Sequence, residues 1–213
     1  MNTLRIEVAF DFICPWCLIG KRNLARALAL FAQEFPRTPV SVQWQGVQLL
    51  PELPAAGVPF AEFYRYRLGS DEAVRQRQAQ VTAAAASAGV VLDLKNIQRM
   101  PNTANAHRLF QRASLLLEPA QAENLLERMF AAYFKNGEDL GDGDTLLAIA
   151  ASCGLDAAVI SVCLDSTETR FYAPLVVAGV PNFTVNGRVQ LTGAQPPEQI
   201  FDALCQQRES VPA

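Results

Sequence analysis

Two of the five cysteines in this 213-residue chain stand three positions apart, in Cys14-Pro15-Trp16-Cys17. That spacing lets two sulfurs meet on one helical turn, and two thiols that meet can exchange with a disulfide. Their order assigns roles. Proline suits the first turn of a helix, because its missing N–H has no intrahelical partner there. The Cys14 sulfur would then lie beside unpaired backbone N–H groups at the positive end of a helix dipole, where a thiolate is favoured over a thiol. Cys14 is the expected nucleophile, and Cys17, one turn further in, is expected to resolve the mixed disulfide that Cys14 forms. Pro15 and Trp16 both start the helix and tune sulfur exposure and reduction potential. The same four residues are also half of a zinc site, and two buried structural thiols would read alike. Zinc needs about four ligands. No second Cys-x-x-Cys exists, His107 is the single histidine and lies far along the chain, and Cys153 and Cys163 are ten positions apart. No metal site is expected.

The pair needs elements to hold it. Leu4, Ile6, Val8 and Phe10 alternate with Arg5, Glu7 and Ala9, the period of a strand with one face more buried. Asp11-Phe12-Ile13 leads into Cys14, and Leu18, Leu24, Ala25, Leu28 and Phe35 form the apolar stripe of a helix that Pro36 and Pro39 end. Val40, Val42 and Trp44 make a second strand, so strand, helix and strand form a right-handed parallel crossover. From Phe60 to Tyr172 helix formers dominate. Ser70-Asp71-Glu72 is a capped start, Gly89 a stop, and further helices are expected near 103–117, 120–135, 145–153 and 156–164. After Gly179-Val180-Pro181 the alternation returns in Phe183 and Val185, and Asn186-Gly187 turns the chain into Val189 and Leu191 as a hairpin. Pro196-Pro197 opens a last helix with Ile200, Phe201 and Leu204 on one side.

Half of the residues are apolar, enough for a real core in one domain or one domain with a large insertion. The formal charge of −3 is spread without a basic patch, so nucleic acid is not an expected partner. No apolar run reaches the roughly 18 residues of a membrane helix, and the first residues lack a basic head followed by an apolar stretch. A cytoplasmic protein away from membranes is expected. An odd number of cysteines argues against a structural disulfide framework.

Over its whole length the chain resembles the DsbA family of thioredoxin-fold proteins, specifically the FrnE-like cytoplasmic branch. The residues that carry this are Asp11 to Lys21 around the cysteine pair, Asn105-Ala106-His107-Arg108, Ala132-Tyr133-Phe134, Gly179-Val180-Pro181-Asn182-Phe183 and Gly193-Ala194-Gln195-Pro196-Pro197. The resemblance implies an α/β thioredoxin fold, a central mixed sheet in the order β-α-β … β-β-α, built from residues 1–59 and 173–213, with a large all-helical insertion at 60–172. It also implies a cis peptide before Pro181, facing Cys14, with Val180 and Pro181 as substrate contacts and the insertion roofing the groove. The implied activity is thiol-disulfide exchange on a protein or small-molecule substrate. No cofactor is expected to be tightly bound, glutathione is the candidate redox co-substrate, and a homodimer is left open.

Glutathione-dependent isomerases and transferases, of the 2-hydroxychromene-2-carboxylate isomerase and kappa-class types, resemble the same scaffold. There a Ser commonly replaces the first sulfur and a Gly-x-Asp-Arg segment holds glutathione, whereas this chain has Cys14 and Gly193-Ala194-Gln195. A non-enzymatic groove for apolar peptides is the third reading. Asp11 is read as a proton relay for Cys17 if buried, or as a half-exposed strand-end carboxylate. His107 is read as an ordinary polar helix residue or as a group lining the groove, Lys21 and Arg22 as a solvated face, and Tyr64, Tyr66, Tyr133 and Phe134 as packing within the insertion, some of them lining the groove. Cys153, Cys163 and Cys205 are read as small apolar residues in helices.

Overall fold

The computed structural model describes residues 3–164, 168–173 and 177–209. Strand β1 (Leu4–Phe10) leads to helix α1 (Pro15–Glu34) and strand β2 (Val40–Gly46), and the two strands pair in parallel, Leu4 opposite Val40 through Phe10 opposite Gly46. Near the other end, strands β5 (Asn182–Val185) and β6 (Val189–Thr192) form a hairpin followed by helix α8 (Pro197–Glu209). β5 lies antiparallel to β1, so the sheet order is β2-β1-β5-β6 with β1 central. Asn186 and Gly187 take positive φ in the hairpin turn, as that dipeptide allows.

Between β2 and β5 come strand β3 (Val58–Pro59), helices α2 (Phe60–Leu68) and α3 (Asp71–Ser87), strand β4 (Arg99–Met100), and helices α4 (Ala104–Ser114), α5 (Pro119–Phe134), α6 (Gly143–Ser152) and α7 (Ala157–Leu164). The Ser70 hydroxyl caps α3 by accepting the Ala73 N–H, as the sequence implies. β3 and β4 pair antiparallel. The sequence shows no trace of this bridge, because two residues are too few for a period of two to register.

β1 explains how the parts join. At its start, Leu4, Ile6 and Val8 pack with Leu24, Ala27 and Phe31 of α1 and with Ile200 and Leu204 of α8, while Arg5 remains in solvent. At its end the outward face is lost, since Val8, Ala9 and Phe10 are all buried. There Phe10 and Phe12 meet Phe110 and Phe130 of the inserted helices at ring separations of 5.6 to 6.0 Å. The cysteine pair follows directly, where the sheet and the inserted helices share one core.

Candidate active site

Cys14 is the N-cap of α1 in extended conformation, and Pro15 occupies the first turn. The bend between β1 and α1 is closed by the Cys14 N–H donating to the Asp11 carbonyl (3.1 Å) and the Cys17 N–H donating to the Cys14 carbonyl (3.0 Å). Cys14 keeps 7 % of its surface and Cys17 none. Both are free thiols. The Cys14 thiol lies 3.8 Å from the Val180 carbonyl, as its donor, although 166 positions separate them. The Val180–Pro181 peptide is cis, and Pro181 sits over α1 so closely that a Cβ on Gly20 would come within 3.1 Å of it. The structure therefore brings Cys14, Cys17, Val180 and Pro181 together. Trp16 is half-buried beneath the Arg77 guanidinium, 5.6 Å from its ring.

The two thiols are not equivalent. Burial, and then the neighbouring Cys14 sulfur, push the Cys17 thiol well above its ordinary value. A hydrogen bond to the Asp11 backbone offsets part of that rise, and the negative charge of Asp11 adds a smaller part to it. Asp11 has no exposed surface, so it is the buried carboxylate and not the half-exposed one. One of its oxygens accepts the Leu49 N–H (2.7 Å) and the other faces His107 Nε2 at 3.1 Å.

His107 is not a solvent-facing helix residue. Its position in α4 points it inward, where it is 1 % exposed, stacked on Phe171 at 5.1 Å and tilted against Phe12 at 5.1 Å. The sequence carried a signal for this, since Ala106, Leu109, Phe110 and Ala113 place the buried stripe of α4 around it. Missed altogether was a polar clasp behind it. Gln48 donates to Asn102 (2.8 Å) and to the Thr169 carbonyl (3.0 Å), and accepts the Phe171 N–H (2.7 Å).

Lys21 and Arg22 do not form a solvated face. Lys21 is 6 % exposed and reaches Glu123 at 2.5 Å and Glu127 at 2.8 Å, and Arg22 also pairs with Glu127. The reason is that α5 lies against this side of α1 and supplies the carboxylates. Tyr66 is likewise not packing, since it is 93 % exposed, whereas Tyr133 and Phe134 are in the core. Tyr64 stands beside an apolar hollow with Ile13, Phe60 and Leu94, and burial and then the Cys14 charge raise its phenol. Cys153, Cys163 and Cys205 are half-buried, and the Cys163 thiol donates to the Ile160 carbonyl at 2.9 Å. Among the described residues no three His, Cys, Asp or Glu side chains converge as a metal ion would need, and no helix is long and apolar enough to cross a membrane.

A parallel β-α-β unit joined to a β-hairpin and a final helix, with two cysteines at the start of its first helix, defines a thioredoxin fold. Residues 5–205 match the DSBA-like thioredoxin domain, and the chain belongs to that family, whose oxidoreductase class it shares. The Bacillus subtilis (strain 168) protein YwbO is 27 % identical over 174 residues, 80 % of this chain and 74 % of that one. The crystal structure of a probable DsbA oxidoreductase from Streptomyces coelicolor superposes with a TM-score of 0.84 at 25 % identity, covering 99 % of this chain and 92 % of that chain. The cytosolic disulfide reductase DsbM from Pseudomonas aeruginosa, solved with GSH, shares the fold at a TM-score of 0.60 and 17 % identity, covering 97 % and 100 % of the two chains.

Proposed function

We propose that this protein catalyses thiol-disulfide exchange, with Cys14 attacking a substrate disulfide and Cys17 resolving the mixed disulfide. The observation that carries this reading is the asymmetry of the pair. Both are buried, but Cys14 keeps the 7 % of exposure that the pair has, caps a helix N-terminus and meets the Val180 carbonyl, while Cys17 is fully enclosed one turn behind it. A buried thiol with a raised pKa is a poor first nucleophile and a good second one, because it ionises only when a base is at hand. Asp11 is that base in this reading. Its buried carboxylate bears on Cys17 through its charge, and in taking the proton it frees the Cys17 thiolate to attack Cys14.

The substrate segment lies along Val180 and Pro181, with the hollow beside Tyr64 and Ile13 receiving an apolar group next to the scissile sulfur. Glutathione is the co-substrate that recycles the pair, and the protein acts in the cytoplasm as a FrnE-like member of its family. The likeness to a glutathione-bound cytosolic reductase supports both points. Cys14→Ser should abolish reduction of insulin disulfides by glutathione in the presence of the protein, and Cys17→Ser should trap substrate on Cys14. Activity unchanged in Cys14→Ser would refute the proposal.

A further inference from the structure

His107 is the one histidine of the chain, is wholly enclosed, and takes no part in the exchange as described so far. Its surroundings fix its state. Nε2 lies 3.1 Å from Asp11 Oδ1, and Nδ1 has no hydrogen-bond partner among the described residues. A proton on Nδ1 would thus be buried without an acceptor, and an unprotonated Nε2 would turn its lone pair toward a carboxylate. The imidazole that fits is neutral, with its proton on Nε2 donated to Asp11.

The pocket is built to that shape. Gly46, the last residue of β2, lies so close that any Cβ there would overlap Nδ1. Phe171 and Phe12 hold the ring in its plane, and the clasp of Gln48 and Asn102 on Thr169 and Phe171 pins the segment that carries Phe171. Of the titratable groups around Asp11, His107 from α4 contacts its carboxylate, Cys14 bonds its backbone carbonyl from the start of α1, and Cys17 of α1 and Tyr133 of α5 feel its charge, burial and then the charges of Tyr64 and Asp11 raising the Tyr133 phenol. Of these only His107 is placed to donate a hydrogen bond to the carboxylate while staying uncharged.

We propose that His107 is a positioning residue for the resolving step, fixing the Asp11 carboxylate by a hydrogen bond and so setting the pH at which it accepts the Cys17 proton. This rests on the exchange reading above. In the resolving step the Cys17 proton passes to Asp11 and the Cys17 thiolate forms a bond to Cys14. The bond between Cys14 and the substrate sulfur breaks, and the substrate leaves as a thiolate carrying that electron pair. The proton then returns from Asp11 to the departing sulfur, so that the dithiol is oxidised by two electrons and the substrate disulfide reduced by two. A neutral donor suits this work. A full positive charge beside Asp11 would hold it as a carboxylate too weakly basic to take a thiol proton, and without the imidazole, with the Leu49 N–H as its remaining strong donor, it would keep its own proton to higher pH.

The test is the pH profile of the resolving step alone. Stoichiometric 5,5′-dithiobis(2-nitrobenzoate) loads one 5-thio-2-nitrobenzoate on Cys14 of the reduced protein, and Cys17 releases it in a first-order phase that Cys17→Ala lacks. In His107→Phe, which keeps the ring and removes the donor, the acid limb of that phase should move to higher pH by about one unit, or roughly tenfold in rate below the limb. His107→Gln, which restores an N–H, should return the limb toward that of the unaltered protein, and Asp11→Asn should abolish it. Gly46→Ala keeps every titratable group but displaces the imidazole from Asp11, and should shift the limb in the same direction as His107→Phe. The proposal is overturned if Asp11→Asn removes the limb while His107→Phe and Gly46→Ala, folded by circular dichroism, leave it in place. It is also overturned if His107→Gln and His107→Phe shift it equally. A missing release phase in the unaltered protein would refute the exchange reading itself, which keeps the two failures apart.

Discussion

Alkylation at neutral pH should separate the two active-site thiols cleanly. A thiol at the ordinary value of 9.0 is about one part in a hundred thiolate at pH 7, and every further unit lowers that fraction tenfold. Cys17 is pushed well above 9.0 by burial and by Cys14, and has no exposed surface, so both its ionisation and its access are suppressed. Its carbamidomethylation by iodoacetamide in the folded, reduced protein should be at least roughly tenfold slower than in denaturant, where the ordinary value returns. Cys14, with its residual 7 % of exposure at the helix start, should be modified ahead of it. A timed pulse, an acid quench and fragment-ion mass spectrometry of the peptide holding both residues reads each site separately. Modification of Cys17 at or ahead of the rate of Cys14 in the folded state would show that the enclosed sulfur is open to reagent. The division of labour between the two would then be refuted.

Two further outcomes concern stability. Lys21→Met removes an enclosed cation from Glu123 and Glu127, but both carboxylates keep more than a third of their surface, so the loss is discounted to about 1–2 kcal/mol, or roughly 2–8 °C in a thermal melt; an unchanged melt would contradict the pairing. The carboxyl of Glu138 is held below its ordinary 4.5 first by its hydrogen bonds from Arg128, so its stabilisation is complete above pH 4.5 and is lost as the pH falls through the lower folded value. Between pH 6 and pH 3 the Arg128→Met protein should therefore lose less melting temperature than the unaltered one, and an equal loss in both would argue that the pair contributes nothing.

The elements around the cysteines were legible because each had a local cause: the alternation of Leu4 to Phe10, Pro15 at a helix start, the Ser70 cap, and Asn186-Gly187 at a turn. What escaped was whatever depends on residues distant in sequence. Whether Lys21 meets water or two carboxylates is decided by α5, a hundred positions later, and nothing around Lys21 announces it. Asp11 is likewise enclosed by Leu49 and His107, 38 and 96 positions away. The clasp of Gln48 and Asn102 is made of neutral polar residues whose types are common in loops, so their burial left no compositional mark. The resemblance to a family located Val180 and Pro181 opposite Cys14, which no period or propensity would have done.

The 166 positions between Cys14 and the carbonyl of Val180 also bear on how the molecule is made. Translation proceeds at about 5–20 residues per second, so the pair leaves the ribosome roughly 8–33 s before the loop that closes over it. During that interval the nascent chain carries both sulfurs uncovered, open to stray oxidation or to joining a neighbouring chain. Docking of the Val180 segment against Cys14 thus marks the moment in synthesis at which that sulfur passes from open chain to enclosed site.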